Sequence, residues 1–189
     1  MEAGNYKDAL SLLEKSLKMN KQILGDQHPS NGSIFQVIGQ VYLRQKDFER
    51  ALNVLADAWE LFEMSFGKVS EQVGNCYLEI ANVHNKKRDL EEAIRFQKKA
   101  LEIFSEIQKY ANTEFLSHIA ITLGEFQEKS EQYDEALVSL QQAKDILEDN
   151  YTLVDKRTCK VKRNISLLYL KSNKYQEALQ ELKEVEVSQ

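Results

Sequence analysis

The stretch IFQVIGQVYLRQKDFERALNVL, residues 34–55, decides how this chain reads. Ile34, Phe35, Ile38, Val41 and Tyr42 recur at i, i+3, i+4, i+7 spacing, the period of a helix with one apolar face. The same spacing runs through Phe48, Ala51, Leu52 and Leu55 and continues to Ala58, Trp59 and Phe62. Between the two runs, Gln45-Lys46-Asp47 leaves room only for a turn, and Asp47 is placed to cap the second helix. The passage predicts a helical hairpin. Small Gly39 on one helix and small Ala51 on the other let the two backbones approach, and the flanking aromatics fill the space around them.

Outward from this stretch, the hairpin proves to be one copy of a repeat. Tyr6-Lys-Asp-Ala9-Leu10, Phe48-Glu-Arg-Ala51-Leu52, Leu90-Glu-Glu-Ala93-Ile94, Tyr133-Asp-Glu-Ala136-Leu137 and Tyr175-Gln-Glu-Ala178-Leu179 share one template, their alanines 42, 42, 43 and 42 residues apart. Gly39, Ala81, Gly124 and Ser166 form a second row of the same period. The one extra residue lies between Ala93 and Gly124, and a loop near 108–113 is its expected place, since an insertion inside a helix would rotate a whole face. Asn5 and Asp89 occupy the capping position of Asp47 in their own repeats, and Asp89-Leu-Glu-Glu92 suits a reciprocal capping box. Gly25 and Gly67 are expected to end helices in a left-handed conformation, with Pro29 following the first.

The expected division is a lone second helix over 1–30, then hairpins over 31–69, 70–111, 112–153 and 154–189, about nine helices in all. Since the chain opens on the interhelical turn at Gly4-Asn5 and ends on Leu179, Leu182 and Val185 without a polar cap, it reads as a piece of a longer array. Leu10, Leu13 and Leu17 should then be partly uncovered, which predicts self-association through the terminal helices. A single hairpin cannot bury apolar surface on both sides; stacked hairpins can.

Phe35-x2-Ile38-Gly39-x2-Tyr42, followed by Ala51-x3-Leu55, resembles the tetratricopeptide pattern. The period of 42 is longer than the usual one of about 34. With Leu24-Gly25-Asp26-Gln27-His28-Pro29 between repeats, it is similar to the long repeats of kinesin light chains and nephrocystin-like proteins. The resemblance implies an all-α, right-handed superhelical solenoid of antiparallel hairpins. It also implies a cytoplasmic protein-binding scaffold that holds a partner peptide or helix in a concave groove, as an adaptor in microtubule- or cilium-linked transport or assembly. The alternative is a regulatory or peptide-sensing segment of a larger protein that carries an enzymatic or DNA-binding domain elsewhere. The sequence departs from the pattern at His84 and Gln127, where other repeats have Tyr42 and Tyr169, and at Gln97, where Leu55 stands. Looser packing is expected there.

Composition excludes several functions. Of 189 residues, 25 are Lys or Arg and 30 Asp or Glu, and a net charge of −5 argues against sequence-independent nucleic-acid binding. Cys76 and Cys159 are too few for a disulfide framework. There is neither a basic, then apolar leader pattern at the start nor an apolar run of membrane-spanning length, so no membrane insertion is expected. Sequons at Asn31, Asn150 and Asn164 read as chance, the last falling inside a helix. His28, His84 and His118 stand far apart in the repeat register, and no phosphate loop, metal motif or nucleophile motif occurs. Neither catalysis nor a cofactor or metal is expected.

Partner binding is the expected function, and the resemblance puts the groove on the first helix of each hairpin. Read in register, the non-core positions are Gln36, Gln40, Asn75, Glu79, Asn82, Asn164 and, toward the C-terminus, Lys160 and Arg163. Asparagine amides offer both a donor and an acceptor to an extended backbone. One row, Arg44, Lys86, Lys129 and Lys171, is basic in all four hairpins, and Lys86, Lys129 and Lys171 are expected groove residues that could grip an acidic segment of the partner; each also stands in the last turn of its helix, where the helix dipole alone favours a cation. Between Lys156 and Lys174 seven basic residues occur with no acidic one, which predicts a positive surface for a partner's acidic segment. The pairs Gln36/Gln40, Leu78/Asn82, Ile121/Glu125 and Arg163/Leu167 do not fit the carboxylate clamp that some family members use.

Overall fold

The computed structural model describes residues 3–110, 113–151 and 155–186, with side chains from Tyr6 to Lys183. The described residues form nine α-helices: α1 (Ala3–Leu24), α2 (Pro29–Arg44), α3 (Phe48–Phe66), α4 (Glu71–Lys87), α5 (Leu90–Glu106), α6 (Glu114–Lys129), α7 (Tyr133–Asn150), α8 (Lys156–Lys171) and α9 (Tyr175–Glu186). The expected all-α hairpin repeat is present, and the extra residue falls in the connection between α5 and α6.

Local chemistry sets the helix ends. Asp47 Oδ1 accepts from Arg50 N at 3.2 Å and Asp89 Oδ1 from Glu92 N at 3.4 Å, as the repeat register requires. The capping box is only half made, because Glu92 turns to Arg95 and accepts from its Nε at 2.9 Å. Asn5 falls within α1, which starts at Ala3, and the expected cap by its side chain lies outside the described side chains. His28 is more than loop punctuation, since its Nδ1 accepts from Ser30 N at 3.2 Å and caps α2, with Pro29 as the first helical residue. Gly25 (φ 90°) and Gly67 (φ 82°) end α1 and α3.

The tight turns inside the hairpins hide their geometry from the sequence. Each has one left-handed residue: Lys46 (φ 62°), Arg88 (φ 68°), Glu131 (φ 61°) or Asn173 (φ 58°). Each such residue stands five positions before the template alanine. The next N–H then bonds back across the helix end, Asp47 to the Tyr42 carbonyl and Gln132 to the Gln127 carbonyl, both at 2.9 Å. Only Asn173 is a residue type that advertises this conformation.

The chain divides into two compact units, Met1–Ile103 and Phe104–Gln189. In the first, Ala51, Leu55, Ile80 and Val83 form a buried cluster with Tyr42, Leu43, Phe48, Leu52 and Phe96 packed against it. The small residues sit where the helices touch. A Cβ on Gly39 would stand 2.8 Å from Leu55 Cγ, and one on Gly32 would stand 2.8 Å from Phe62 Cε1. Gly32 opens a row that the sequence reading missed: Gly32, Gly74, Ser117 and Cys159, seven residues before the first small row. Buried Asn31 donates from Nδ2 to the Gly25 and Asp26 carbonyls at 2.9 and 3.0 Å, so a glycan there has no room.

The second unit replaces some of this apolar packing with polar pairs. A Cβ on Gly124 would still press on Leu140 Cγ at 3.0 Å. Buried Gln127, however, accepts from Ser139 Oγ at 2.7 Å. Lys144 Nζ lies 3.0 Å from Glu181 Oε1, their side chains 11% and 13% exposed, and Lys162 Nζ lies 3.0 Å from Glu148 Oε1. Phe104 meets Tyr110 and Phe115 edge-on, with centroids 5.1 and 4.9 Å away. The departures from the repeat pattern are matched, not loose. His84 stacks on Phe96 at 5.6 Å with its Nδ1 3.1 Å from Asp89 Oδ2, while Gln97 is 3% exposed in the core and polar-partnered.

Candidate partner-binding faces

In the first unit the expected residues lie on α2 and α4. Gln40 Nε2 donates to Glu79 Oε1 at 2.6 Å, joining the two first helices across one repeat. A cleft of ≈ 260 Å³ opens beside this bond, lined by Gly39, Gln40, Leu43, Arg44, Glu79 and Asn82 among others. Glu79 is half-buried, and its Oε2 is buried without a hydrogen-bond partner. Burial pushes its carboxyl above the usual carboxylate range, while the Gln40 and Gln36 amides act the other way. Asn82 and Lys86 are exposed, Gln36 and Asn75 half-buried. The neighbouring Cys76 thiol is buried and pushed up to about 12, first by desolvation and then by Glu79, so it packs and does not react.

Glu79 gives a pH dependence with a definite sign. A carboxyl whose pKa is raised on folding binds its proton more tightly in the native state, so stability falls as pH rises from the unfolded pKa through the folded one. Glu79→Gln should therefore raise the melting temperature at pH 7. The gain should shrink below the usual carboxylate range, where Glu79 is protonated in both states. Thermal melts by circular dichroism at pH 4 and pH 7 check this.

In the second unit the expected residues lie on α6 and α8, and the positive surface is smaller than the sequence implies. Arg157 Nη1 bonds Glu114 Oε2 at 2.7 Å and its Nε bonds Asp155 Oδ1 at 2.8 Å; the Arg157 side chain, and then its backbone N–H, lower the Asp155 pKa to about 2. Lys162 is buried against Glu148, Lys171 Nζ donates to Glu128 Oε1 at 2.6 Å, and Lys174 Nζ to Asp134 Oδ1 at 2.8 Å. Four of the seven basic residues are thus spent on pairs within the unit, because the acidic partners come from neighbouring helices that a linear reading does not see. Lys160 and Arg163 stay exposed on α8 with no ion pair among the described residues, and Asn164 beside them is half-buried. Lys129 leans over Phe126 at 5.4 Å. Arg44, Lys86, Lys129 and Lys171 all fall in the last turns of their helices, the geometry the dipole favours.

Helical hairpins of one template, with polar first-helix faces and cores held by small residues, define a repeat protein whose conserved-looking positions are packing positions. The chain belongs to the tetratricopeptide repeat family: the family model matches residues 1–64, 38–106 and 72–149. No curated protein matches it in sequence. Solved structures match in fold at low identity. The nearly identical TPR-like repeats of a Podospora anserina protein described as a kinesin light chain align at 17% identity and TM-score 0.77, covering 98% of this chain and 87% of that one. BtubC (BKLC) from P. vanneervenii aligns at 19% and TM-score 0.80, covering 98% and 73%. The apo form of RapI aligns at 20% and TM-score 0.76, covering 98% of this chain but 49% of that one. The fold is consistent with a scaffold for protein–protein interaction. Among the described residues no helix is long and apolar enough to cross a membrane.

Proposed function

We propose that the chain is a non-catalytic adaptor that holds an extended partner peptide on the exposed faces of its first helices. The observation that carries this reading is the cleft between α2 and α4, where Gln40, Glu79 and Asn82 line the wall with amide and carboxylate groups. Such groups suit the N–H and C=O of a peptide backbone. On α8, Lys160 and Arg163 supply charge for an acidic side chain of the partner, with Asn164 for its backbone. The fold shared with the kinesin light chain-like repeats and with BtubC supports a cytoplasmic role in transport or assembly on microtubules or cilia. Co-sedimentation of partner complexes with microtubules tests that role.

Binding of an acidic-peptide library, followed by fluorescence anisotropy, tests the charged site. A Lys160→Glu/Arg163→Glu double change should weaken capture about tenfold, since each exposed pair contributes up to about 1 kcal/mol and reversal adds repulsion. Capture by the parent protein should also weaken with added salt, because exposed charges are screened. Equal binding by both proteins, or a preference for basic peptides, sinks this reading of α8.

A further inference from the structure

α7 departs from the repeat on its exposed face, and a cleft opens at the departure. Two residues after the template alanine, the other second helices carry Ser11, Asn53, Arg95 and Gln180, whereas α7 carries Val138. That valine is 70% exposed. With the buried Leu116 and Ile146 it forms the apolar part of a cleft of ≈ 530 Å³, and Gln141, Asp145 and Asp149 of α7 are among the polar groups lining it. The cleft lies within the second unit.

The charge beside Val138 is unbalanced. Asp145 and Asp149 are exposed and stand one turn apart on the same helix face, where like charges repel. Both lie toward the C-terminal end of α7, the negative end of its dipole, and the last turn holds no basic residue. Lys144, the one cation of α7, is committed to Glu181, while Asp134 and Glu148 have Lys174 and Lys162. Among the described residues neither Asp145 nor Asp149 has an ion pair; Asp145 Oδ1 accepts from Gln141 Nε2 at 2.7 Å. An apolar side chain and two unneutralised carboxylates thus share one opening.

We propose that this cleft docks an extended basic segment of a partner protein, with one arginine seated across Asp145 and Asp149 and an aliphatic side chain on Val138. Arginine suits the site better than lysine, since its planar fork can bridge two carboxylates and its stem covers apolar surface. The spacing of the segment follows from α7. Val138 lies about 13 Å along the helix from the midpoint of the two carboxylates, at about 1.5 Å per residue. An extended chain covers that distance in about four residues. A metal ion is the wrong occupant, because no third acidic, His or Cys side chain joins the pair among the described residues. The site is acidic and on a second helix, so it is separate from Lys160 and Arg163 on α8, which the proposed function gives to an acidic segment.

The probe is a labelled peptide of glutamine, serine and alanine holding one arginine and one isoleucine four positions apart. It is titrated with the 189-residue protein by fluorescence anisotropy, with light scattering to record the protein's mass. Saturable one-to-one binding to a monomer is expected. Asp145→Asn/Asp149→Asn should weaken it about tenfold and Val138→Ser about threefold. All three sites are exposed, and circular dichroism confirms that both variants stay folded. A peptide with glutamine in place of the arginine should bind about tenfold more weakly as well. Lys160→Glu/Arg163→Glu should not weaken binding, so this site stands or falls independently of the α8 reading. No saturable binding, indifference to the Asp145/Asp149 change, equal binding of the arginine-free peptide, or a protein that self-associates through α7 overturns the proposal.

Discussion

Gly39→Leu should lower the stability of the first unit by about 3 kcal/mol, the upper part of the usual overpacking range. The smallest added atom, a Cβ, already stands 2.8 Å from Leu55 Cγ and 2.9 Å from Leu55 Cδ2, and Leu55 is itself 1% exposed. Leu55 cannot retreat, because Ala51, Ile80 and Val83 close the other side of the cluster. Leucine returns about 0.8–1 kcal/mol of helix propensity relative to glycine, too little to offset the clash. Gly39→Ala should destabilise less, since its one methyl meets the same Leu55 atoms but adds far less volume. Urea titration followed by far-ultraviolet circular dichroism checks both variants. Equal midpoints for Gly39→Leu and the parent would mean that Gly39 does not mark the helix contact.

Glu181→Leu should destabilise the second unit by about 3 kcal/mol or more, because it leaves Lys144 as a buried charge with its partner removed. The Lys144 and Glu181 side chains are 11% and 13% exposed, so water cannot fully replace the lost carboxylate. The double variant Lys144→Met/Glu181→Leu should recover most of that loss, since well-packed apolar residues often equal a buried ion pair in stability. A double-mutant cycle in urea therefore gives a large coupling energy with little net cost for the double change. If Glu181→Leu alone leaves the midpoint unmoved, the pair is solvated and contributes nothing.

The fold was legible because its signals are periodic and local. The alanine row, the small row through Gly39 and the caps at Asp47 and Asp89 all follow from spacing and side-chain type, and each lies where the register places it. What escaped is what depends on neighbours in space. The left-handed turn residues Lys46, Arg88 and Glu131 carry no glycine signal, because a tertiary hairpin imposes their conformation. The basic run from Lys156 to Lys174 looks unopposed along the chain, yet Glu114, Glu128, Asp134 and Glu148 on other helices neutralise much of it. The row through Gly32 could have been found with the same arithmetic that found Gly39, applied two turns earlier. For the candidate faces, register alone named the helices; the cleft beside Glu79 escaped it, since it depends on how α2 and α4 pack and on the Gln40–Glu79 bond between them.

One register position differs from hairpin to hairpin in a way that bears on how such an array reaches its correct form. Where Tyr42 packs beside Ala51 and Leu55, His84 instead stacks on Phe96, and Gln127 instead bonds Ser139. α4 and α6 thus each carry a token that their own second helix reads, while α2 and α8 share tyrosine there. Chains built from interchangeable repeats can pair the wrong helices while folding, or exchange them between molecules. Here a mispaired helix would leave the Gln127 amide or the Ser139 hydroxyl buried without its mate, or set His84 against a side chain with no ring to stack on. The irregularities that look like decay of the repeat therefore work as an addressing system, rejecting wrong partners before the array closes.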